Sequence, residues 1–307
     1  MRIGYPCINR SIGCSPPRTF RLASYSDERV NKIVEANLLC LLKILSYNVE
    51  HGMLFFRITS DMVPFASHPV CTFPWRRHFA EEFWRIGEYA RSHRFRISMH
   101  PDQFVLLNAP DTGVLERSIA DLTYQSQILD LLGLDDSAKL QIHVGGVYRN
   151  KTASLERFIK NYEKLDETIR RRLVIENDER LFTTADCLAI HERTGIPVLF
   201  DVFHNAINNN NESIADLLGH VCATWKKSDG IPMVDYSTQQ QGKRAGAHAV
   251  TIDQRDFRSF LHISMPYDFD IMLEIKDKKK SALSALILAQ NDPRLYKGYL
   301  KTDDTHD

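Results

Sequence analysis

The sequence has no long apolar run, no excess of either charge, and no internal repeats. No stretch approaches the roughly 20 apolar residues that a membrane-spanning helix needs, so no membrane association is predicted. The first residues, MRIGYPCINRSIGCSPPR, are interrupted by Asn9, Arg10 and prolines, and they do not resemble a secretory signal. Because 39 basic residues balance 39 acidic ones, any anionic partner must be attracted locally rather than by the overall charge.

Cysteine is sparse as well. The six cysteines, at positions 7, 14, 40, 71, 187 and 222, form no C-x-x-C pair and lack the density of a disulfide scaffold. This pattern predicts free thiols in a reducing compartment, and hence a cytoplasmic protein.

What the sequence does contain is a regular alternation of strand-like and helix-like segments. Strands are predicted over residues 2–7, 54–59, 96–100, 140–144, 173–176, 197–203, 233–236 and 271–275. Helices are predicted over 27–48, with Ser26 as N-cap, and over 75–92, 114–132, 153–170, 184–193, 213–224, 256–261 and 281–290. This alternation favours one α/β domain, a (β/α)8 TIM barrel over residues 1–290, above two doubly wound domains. Residues 291–307 are predicted to be a mobile C-terminal tail.

Potential metal ligands end most of the later strands. The apolar runs finish at His100 (SMHP), His143 (QIHV), Glu176 (VIEN), Asp201 and His204 (LFDVFH), Asp235 (MVDY) and Glu274 (MLEI). In a barrel the carboxyl ends of all strands meet at one mouth, so these side chains are expected to converge there. Taken singly, each is more often a structural or loop residue than a ligand, but their recurrence favours a metal centre. Asp235 and His248 are less securely placed, since Asp235 could cap a loop and His248 lies in the loop RAGAHAVTID.

Six to eight histidine and carboxylate ligands exceed the need of one tetrahedral zinc, so two or three divalent ions are predicted, bridged by a carboxylate. Such sites hydrolyse phosphodiesters. Sugar isomerases and epimerases on the same barrel also use paired metals, so the residues alone leave both reactions open. A DNA-binding barrel without turnover is a third possibility, which a complete ligand set disfavours.

Several ordered segments make the sequence similar to one known family. The chain resembles the UV-damage endonucleases, which are distantly akin to endonuclease IV, in the segments GYPCIN (4–9), SMHPDQF (98–104), IHVGG (142–146), VIEND (174–178), FDVFH (200–204), VDYSTQ (234–239) and LEIKDK (273–278). The resemblance implies an enzyme that nicks UV-damaged double-stranded DNA immediately 5′ of cyclobutane pyrimidine dimers and 6-4 photoproducts. We expect it to be a monomer. Attack by a metal-bound hydroxide would leave a 3′-hydroxyl and a 5′-phosphate. The implied ions are Mn²⁺ first, with Mg²⁺, Co²⁺ or Zn²⁺ as alternatives.

The resemblance also assigns metal ligands. Glu176 would bridge two ions and be essential for catalysis, with His100 and His143 completing one site. Asp201, Asp235 and Glu274 would form the second site, and His204 and His248 would hold a third ion. Two departures bear on this set: Asp235 stands where relatives often have histidine, and Met233 stands where some have a lysine that can be carboxylated. We therefore expect weaker occupancy of the third site.

Further residues are assigned roles in DNA contact. His68 and Lys276 would lie near the scissile phosphate, although His68 could equally be an ordinary loop histidine. Gln103 and Phe104 would wedge into the duplex opposite the lesion, although Phe104 could instead pack beneath its loop. The resemblance assigns two residues to the lesion pocket, Tyr5 and Asn9.

Overall fold

Eight parallel strands close into a barrel in the computed structural model, which describes residues 1–298. The strands are β1 Ile3–Pro6, β2 Phe55–Ile58, β3 Arg96–Met99, β4 Lys139–His143, β5 Leu173–Glu176, β6 Val198–Asp201, β7 Met233–Tyr236 and β8 Asp270–Leu273. Each pairs with its neighbour in sequence, and β1 closes the ring against β8 through Ile3 opposite Ile271. The predicted TIM barrel is confirmed.

Helices surround the strands. They are α1 Asp27–Glu50, α2 Trp75–His78, α3 Ala80–Ser92, α4 Thr112–Leu131, α5 Lys151–Glu163, α6 Glu167–Arg170, α7 Thr184–Thr194, α8 Val202–Ile207, α9 Ile214–Ala223, α10 Gln254–Ile263 and α11 Lys279–Leu288. Ser26 caps α1 as predicted, because its side chain accepts a hydrogen bond from the Arg29 amide. Within residues 1–298, none of these helices combines the length and apolar character needed to cross a membrane.

Some predicted boundaries differ for local reasons. The helix predicted over 75–92 is two helices, because Phe79 leaves helical geometry between α2 and α3. The helix predicted over 153–170 also divides, since Asp166 caps a separate α6. The strand predicted over 197–203 stops at Asp201, whose carboxylate accepts a hydrogen bond from the His204 amide and starts α8.

The barrel interior is layered. Successive side chains on a strand point to opposite faces, so residues two apart on one strand line successive interior levels. A small apolar cluster of Phe55, Val174, Leu199, Met233 and Met272 fills the middle level. Gly4 lets β1 approach it, since a Cβ there would lie 1.7 Å from the Phe55 carbonyl oxygen. The inward-facing residues that follow toward the carboxyl end are polar, so the apolar cluster forms the floor of the mouth.

The prediction that all six cysteines are free thiols is wrong for two of them. Cys14 and Cys40 form a disulfide with Cα atoms 5.9 Å apart, which ties the loop after β1 to α1. The other four cysteines are free. Because the pair is separated by 26 residues, spacing along the chain could not reveal it.

The start of the predicted tail packs on the barrel. Arg294 donates hydrogen bonds to backbone carbonyl groups of Leu261, Ser264 and Tyr267. The Tyr296 amide donates to the Met1 carbonyl oxygen at 2.8 Å. The remainder of that tail, 299–307, lies outside the described residues.

Candidate metal centre

The first ligand group is built by three consecutive strands. His143 and Glu176 lie opposite each other at the ends of β4 and β5, and His100 follows β3 directly. The Glu176 carboxylate is buried, and its Oε1 atom lies 3.1 Å from His100 Nε2 and 2.9 Å from His143 Nε2. Ligand atoms of the three residues lie within 4.8 Å of one another, close enough to share one cation.

The second group joins Glu176 to the β6–α8 junction. Asp201 ends β6 and caps α8, which places it beside His204 three residues later, with 3.3 Å between Asp201 Oδ2 and His204 Nδ1. His204 Nδ1 also lies 3.0 Å from the Asn177 carbonyl oxygen, which holds the ring by one nitrogen and leaves Nε2 for a ligand. The Asn177 side chain in turn bonds the backbone of Asp201 at both its amide and carbonyl.

The third group contains Asp201, Asp235 and Glu274, and it already holds a cation from the protein. Arg57, from β2, donates to both oxygens of Asp235 at 2.8 and 2.7 Å and also forms an ion pair with Glu274. Gln141, from β4, accepts a hydrogen bond from Arg57 at 2.6 Å and donates to Asp235 at 2.6 Å. Gln141 also donates to Glu176, so it connects the third group to the first.

The electrostatics follow from these contacts. Burial alone would raise the pKa of Glu176, but the His143 and His100 rings hold it well below its usual range. Burial would lower the pKa of His143, yet the Glu176 carboxylate raises it to about 9. Burial raises the pKa of Asp201 to about 7, although His204 opposes the shift. The site therefore keeps its central carboxylate ionised, as a metal ligand requires.

Arg57 is also charged. Burial lowers the pKa of Arg57, but Asp235 and Glu274 outweigh it and raise the pKa above the ordinary value for a guanidinium. In return, the pKa of Glu274, which burial would raise, falls to about 2.

The ligand atoms of each group determine which divalent ions it can hold. The first and second groups combine imidazole nitrogen with carboxylate oxygen, which suits Mn²⁺, Fe²⁺, Co²⁺ or Zn²⁺. The buried Nδ1 atom of His143 has no hydrogen-bond partner among the described residues. Both groups fit divalent cations, and the third differs because a guanidinium lies within it.

Other predicted site residues lie at varying distances from these groups. Gln103 is exposed on the loop after β3 and lines a cavity of about 620 Å³ at the barrel mouth. Phe104 beside it is 72% exposed, so it does not pack beneath its loop. Lys276 lines the same cavity and donates to Gln240 Oε1 at 2.6 Å. Besides Gln103 and Lys276, the cavity lining includes Arg10, Arg57, His100, His143, His248, Glu274 and Lys278.

Two predicted site residues, His248 and His68, are less directly placed, and Met233 lies below them. His248 lies at the rim, with Nε2 3.8 Å from Glu274 Oε2, and it belongs to none of the three groups that the described residues form. His68 is exposed, and its Nδ1 accepts a hydrogen bond from the Val70 amide. Met233 is buried in the apolar layer, where it offers no metal ligand.

Tyr5 and Asn9 are fully buried in this conformation. The Tyr5 hydroxyl donates to Asn48 Oδ1 at 2.7 Å and accepts from Asn9 Nδ2 at 3.0 Å. The pair therefore braces the loop after β1 against α1, and neither residue presents a surface to DNA here.

Three residues that organise the site were not predicted from the sequence: Arg57, Gln141 and Asn177. Arg57 and Gln141 interrupt apolar strand runs, FFRI and KLQIH, at positions that face the barrel interior. A charged or amide residue inside a buried strand was the available signal, since such residues are rarely buried without a partner.

Fold and site together define a class: a TIM barrel with a histidine and carboxylate cluster at the carboxyl ends of its strands. A crystal structure of endonuclease IV from Thermus thermophilus shares this fold, with a TM-score of 0.54 at 17% identity, covering 81% of this chain and 93% of the other. At that identity the likeness concerns the fold alone.

The family is more specific. A family model described as UV-endonuclease UvdE matches residues 1–294. A UV DNA damage endonuclease from Clostridium perfringens (strain 13 / Type A) is 36% identical over 288 residues, covering 93% of this chain and 70% of that protein. The crystal structure of SacUVDE superposes with a TM-score of 0.91 at 46% identity, covering 94% of this chain and 98% of the other. The chain belongs to the UV-endonuclease UvdE family, and the predicted enzyme class, a DNA-damage endonuclease, is confirmed at that level.

Proposed function

We propose that this enzyme nicks duplex DNA immediately 5′ of UV photoproducts, leaving a 3′-hydroxyl and a 5′-phosphate. One observation carries the proposal: the exposed Gln103 lines the same cavity as the metal-ligand candidates His100, His143 and Glu274. A side chain that probes damaged DNA and a centre that cleaves a phosphodiester would need this proximity, because the cleaved bond is adjacent to the lesion.

The first two ligand groups would each hold a divalent ion, most simply Mn²⁺, with Glu176 shared between them. Bound there, the ions would supply a water of lowered pKa and neutralise charge on the phosphate. Glu176 therefore has the central role, and Asn177 fixes the orientation of Asp201 and His204 around it. Asp235, His248 and Glu274 would complete the surroundings of the cluster.

Cationic side chains at the mouth suit a phosphodiester. Arg10, Lys276 and Lys278 line the cavity and give it local positive charge, although the net charge of the chain is zero. Lys276 would give up its hydrogen bond to Gln240 and donate to a phosphate oxygen instead. His68 would make a second phosphate contact from the loop after β2.

Lesion recognition would fall to Gln103 and Phe104. Phe104 offers an exposed aromatic face that can replace stacking lost in a distorted duplex, while the Gln103 amide can pair with exposed base edges. A photoproduct is already poorly stacked, so opening the duplex there costs less than in intact DNA. Tyr5 and Asn9 would line the lesion pocket only if the loop after β1 rearranges.

The test is incision of an end-labelled, UV-irradiated duplex with Mn²⁺, beside unirradiated duplex and an EDTA control. Incision should require both damage and metal, and Glu176→Ala should abolish it while circular dichroism stays unchanged. Retained incision by metal-replete Glu176→Ala would refute the shared-ligand role. Epimerisation of a ketose by the same preparation, without incision, would instead support the sugar-epimerase alternative.

A further inference from the structure

Arg57 lies against a group of carboxylates that could otherwise hold a metal ion. Asp201, Asp235 and Glu274 place carboxylate oxygens within 4.8 Å of one another, a spacing that calls for a cation. Arg57 is 2% exposed, and its guanidinium pairs with Asp235 and Glu274. We propose that Arg57 replaces a metal ion in this group, so that the chain carries two divalent ions and one built-in cation. This inference deepens the proposed function and rests on its metal centre.

The hydrogen bonds of Asp235 support the proposal. A carboxylate offers about four lone-pair positions, and Asp235 uses three of them: both oxygens accept from Arg57 Nη2, and Oδ2 also accepts from Gln141. The side chain is fully buried, and protein donors already occupy both of its oxygens. Asp235 is therefore satisfied by the protein itself.

The fork of the guanidinium also fits the geometry. Arg57 reaches Glu274 with one terminal nitrogen and Asp235 with the other, while Gln141 accepts from the latter. Arginine remains charged under all ordinary conditions, so this cation cannot dissociate as a metal ion can. A divalent ion placed among the same oxygens would be repelled by it at close range.

Neighbouring residues point the same way. Met233, two residues before Asp235 on the same strand, is buried in the apolar layer and provides no further ligand. Two divalent ions would balance the four carboxylates Glu176, Asp201, Asp235 and Glu274. The charge of Arg57 then gives the centre a net positive charge. Because Arg57 lines the mouth cavity, this charge would attract an anionic substrate.

The experiment counts metal. Protein saturated with Mn²⁺ and freed of excess is analysed by inductively coupled plasma mass spectrometry, for wild type and for three variants: Arg57→Met, Asp235→Asn and Asp201→Asn. We expect two Mn²⁺ per wild-type chain, an unchanged count in Asp235→Asn, and a lower count in Asp201→Asn. In Arg57→Met the freed carboxylates should take up a third ion.

Three ions in the wild type, a lower count in Asp235→Asn, or an unchanged count in Arg57→Met would each overturn the proposal. If Arg57→Met fails to fold, Asp235→Asn still decides, because it keeps the shape of Asp235 while removing its charge. The count does not depend on DNA cleavage. Two ions in a protein that does not incise irradiated duplex would refute the proposed function and leave the role of Arg57 standing.

Discussion

Replacing Phe104 with alanine should weaken lesion recognition while sparing the fold. A phenylalanine side chain presents about 150–250 Å², and Phe104 is 72% exposed, so only about 60 Å² of it is covered. At about 25 cal/mol per Å², truncation forfeits no more than about 1.5 kcal/mol of folding stability. Core truncations of the same residue type cost about 3–5 kcal/mol.

The effect on damaged DNA should be larger. Base stacking on an aromatic side chain contributes about 1–3 kcal/mol, so kcat/KM for a duplex with one photoproduct should fall about 5- to 150-fold. Single-turnover incision and urea unfolding, measured on the same preparations, separate the two effects. Phe104→Tyr retains the stacking face and should stay near wild type.

Ile287→Ala is a matched control, since Ile287 is 66% exposed on α11 and lines no part of the mouth cavity. It should leave incision unchanged. Incision by Phe104→Ala at the wild-type rate would refute the wedge, and a stability loss as large as that of a core truncation would refute the exposed placement of the ring.

Three further predictions concern the disulfide, the helix packing and the metal. Oxidised, unfolded protein should titrate with four free thiols, and six would contradict the Cys14–Cys40 bond. Cys40→Ser should lower the free energy of unfolding by about 3.5 kcal/mol, because it opens a loop closed across 26 residues. Gly87→Ala should lower the free energy of urea unfolding by about 3 kcal/mol, because the new Cβ would lie 1.7 Å from the Leu132 carbonyl oxygen. The control Gly113→Ala should change it by less than about 1 kcal/mol, and equal effects would contradict the packing of α3. Mn²⁺ at about 100 times its Kd should add about 2.7 kcal/mol to stability for each ion bound and raise Tm, an effect that Glu176→Gln should largely lose; an equal rise in both proteins would place the ions elsewhere.

The sequence was most informative where one physical rule governs many residues. Parallel strands of a barrel end at one mouth, so ligand-type residues after successive apolar runs could be placed together without any coordinates. His100, His143 and Glu176 meet accordingly, and Asp201 and His204 adjoin them. The polar interior was harder to foresee. Strands buried on both faces show no alternation, so the arginine in FFRI indicated a buried partner but not that Arg57 points inward and reaches β7.

Contacts between distant segments set the remaining limits. Asn48 on α1 accepts a hydrogen bond from the buried Tyr5 hydroxyl, although the two residues are far apart in the sequence. No local sequence pattern predicts that pairing. The disulfide is of the same kind, because it depends on where α1 packs rather than on cysteine spacing. The residue types at the strand ends thus predicted the metal centre. The residues that contact it from other strands could be identified only from the folded structure.

The most direct test of the account maps the incision on a duplex that carries one photoproduct at a known position. With Mn²⁺, the labelled product should end at the nucleotide directly 5′ of the lesion, and a DNA polymerase should extend it, since extension requires a 3′-hydroxyl. EDTA should abolish the cut. Incision at any other position, a 3′ end that cannot be extended, or incision that persists without metal would contradict a metal centre that nicks DNA beside the lesion.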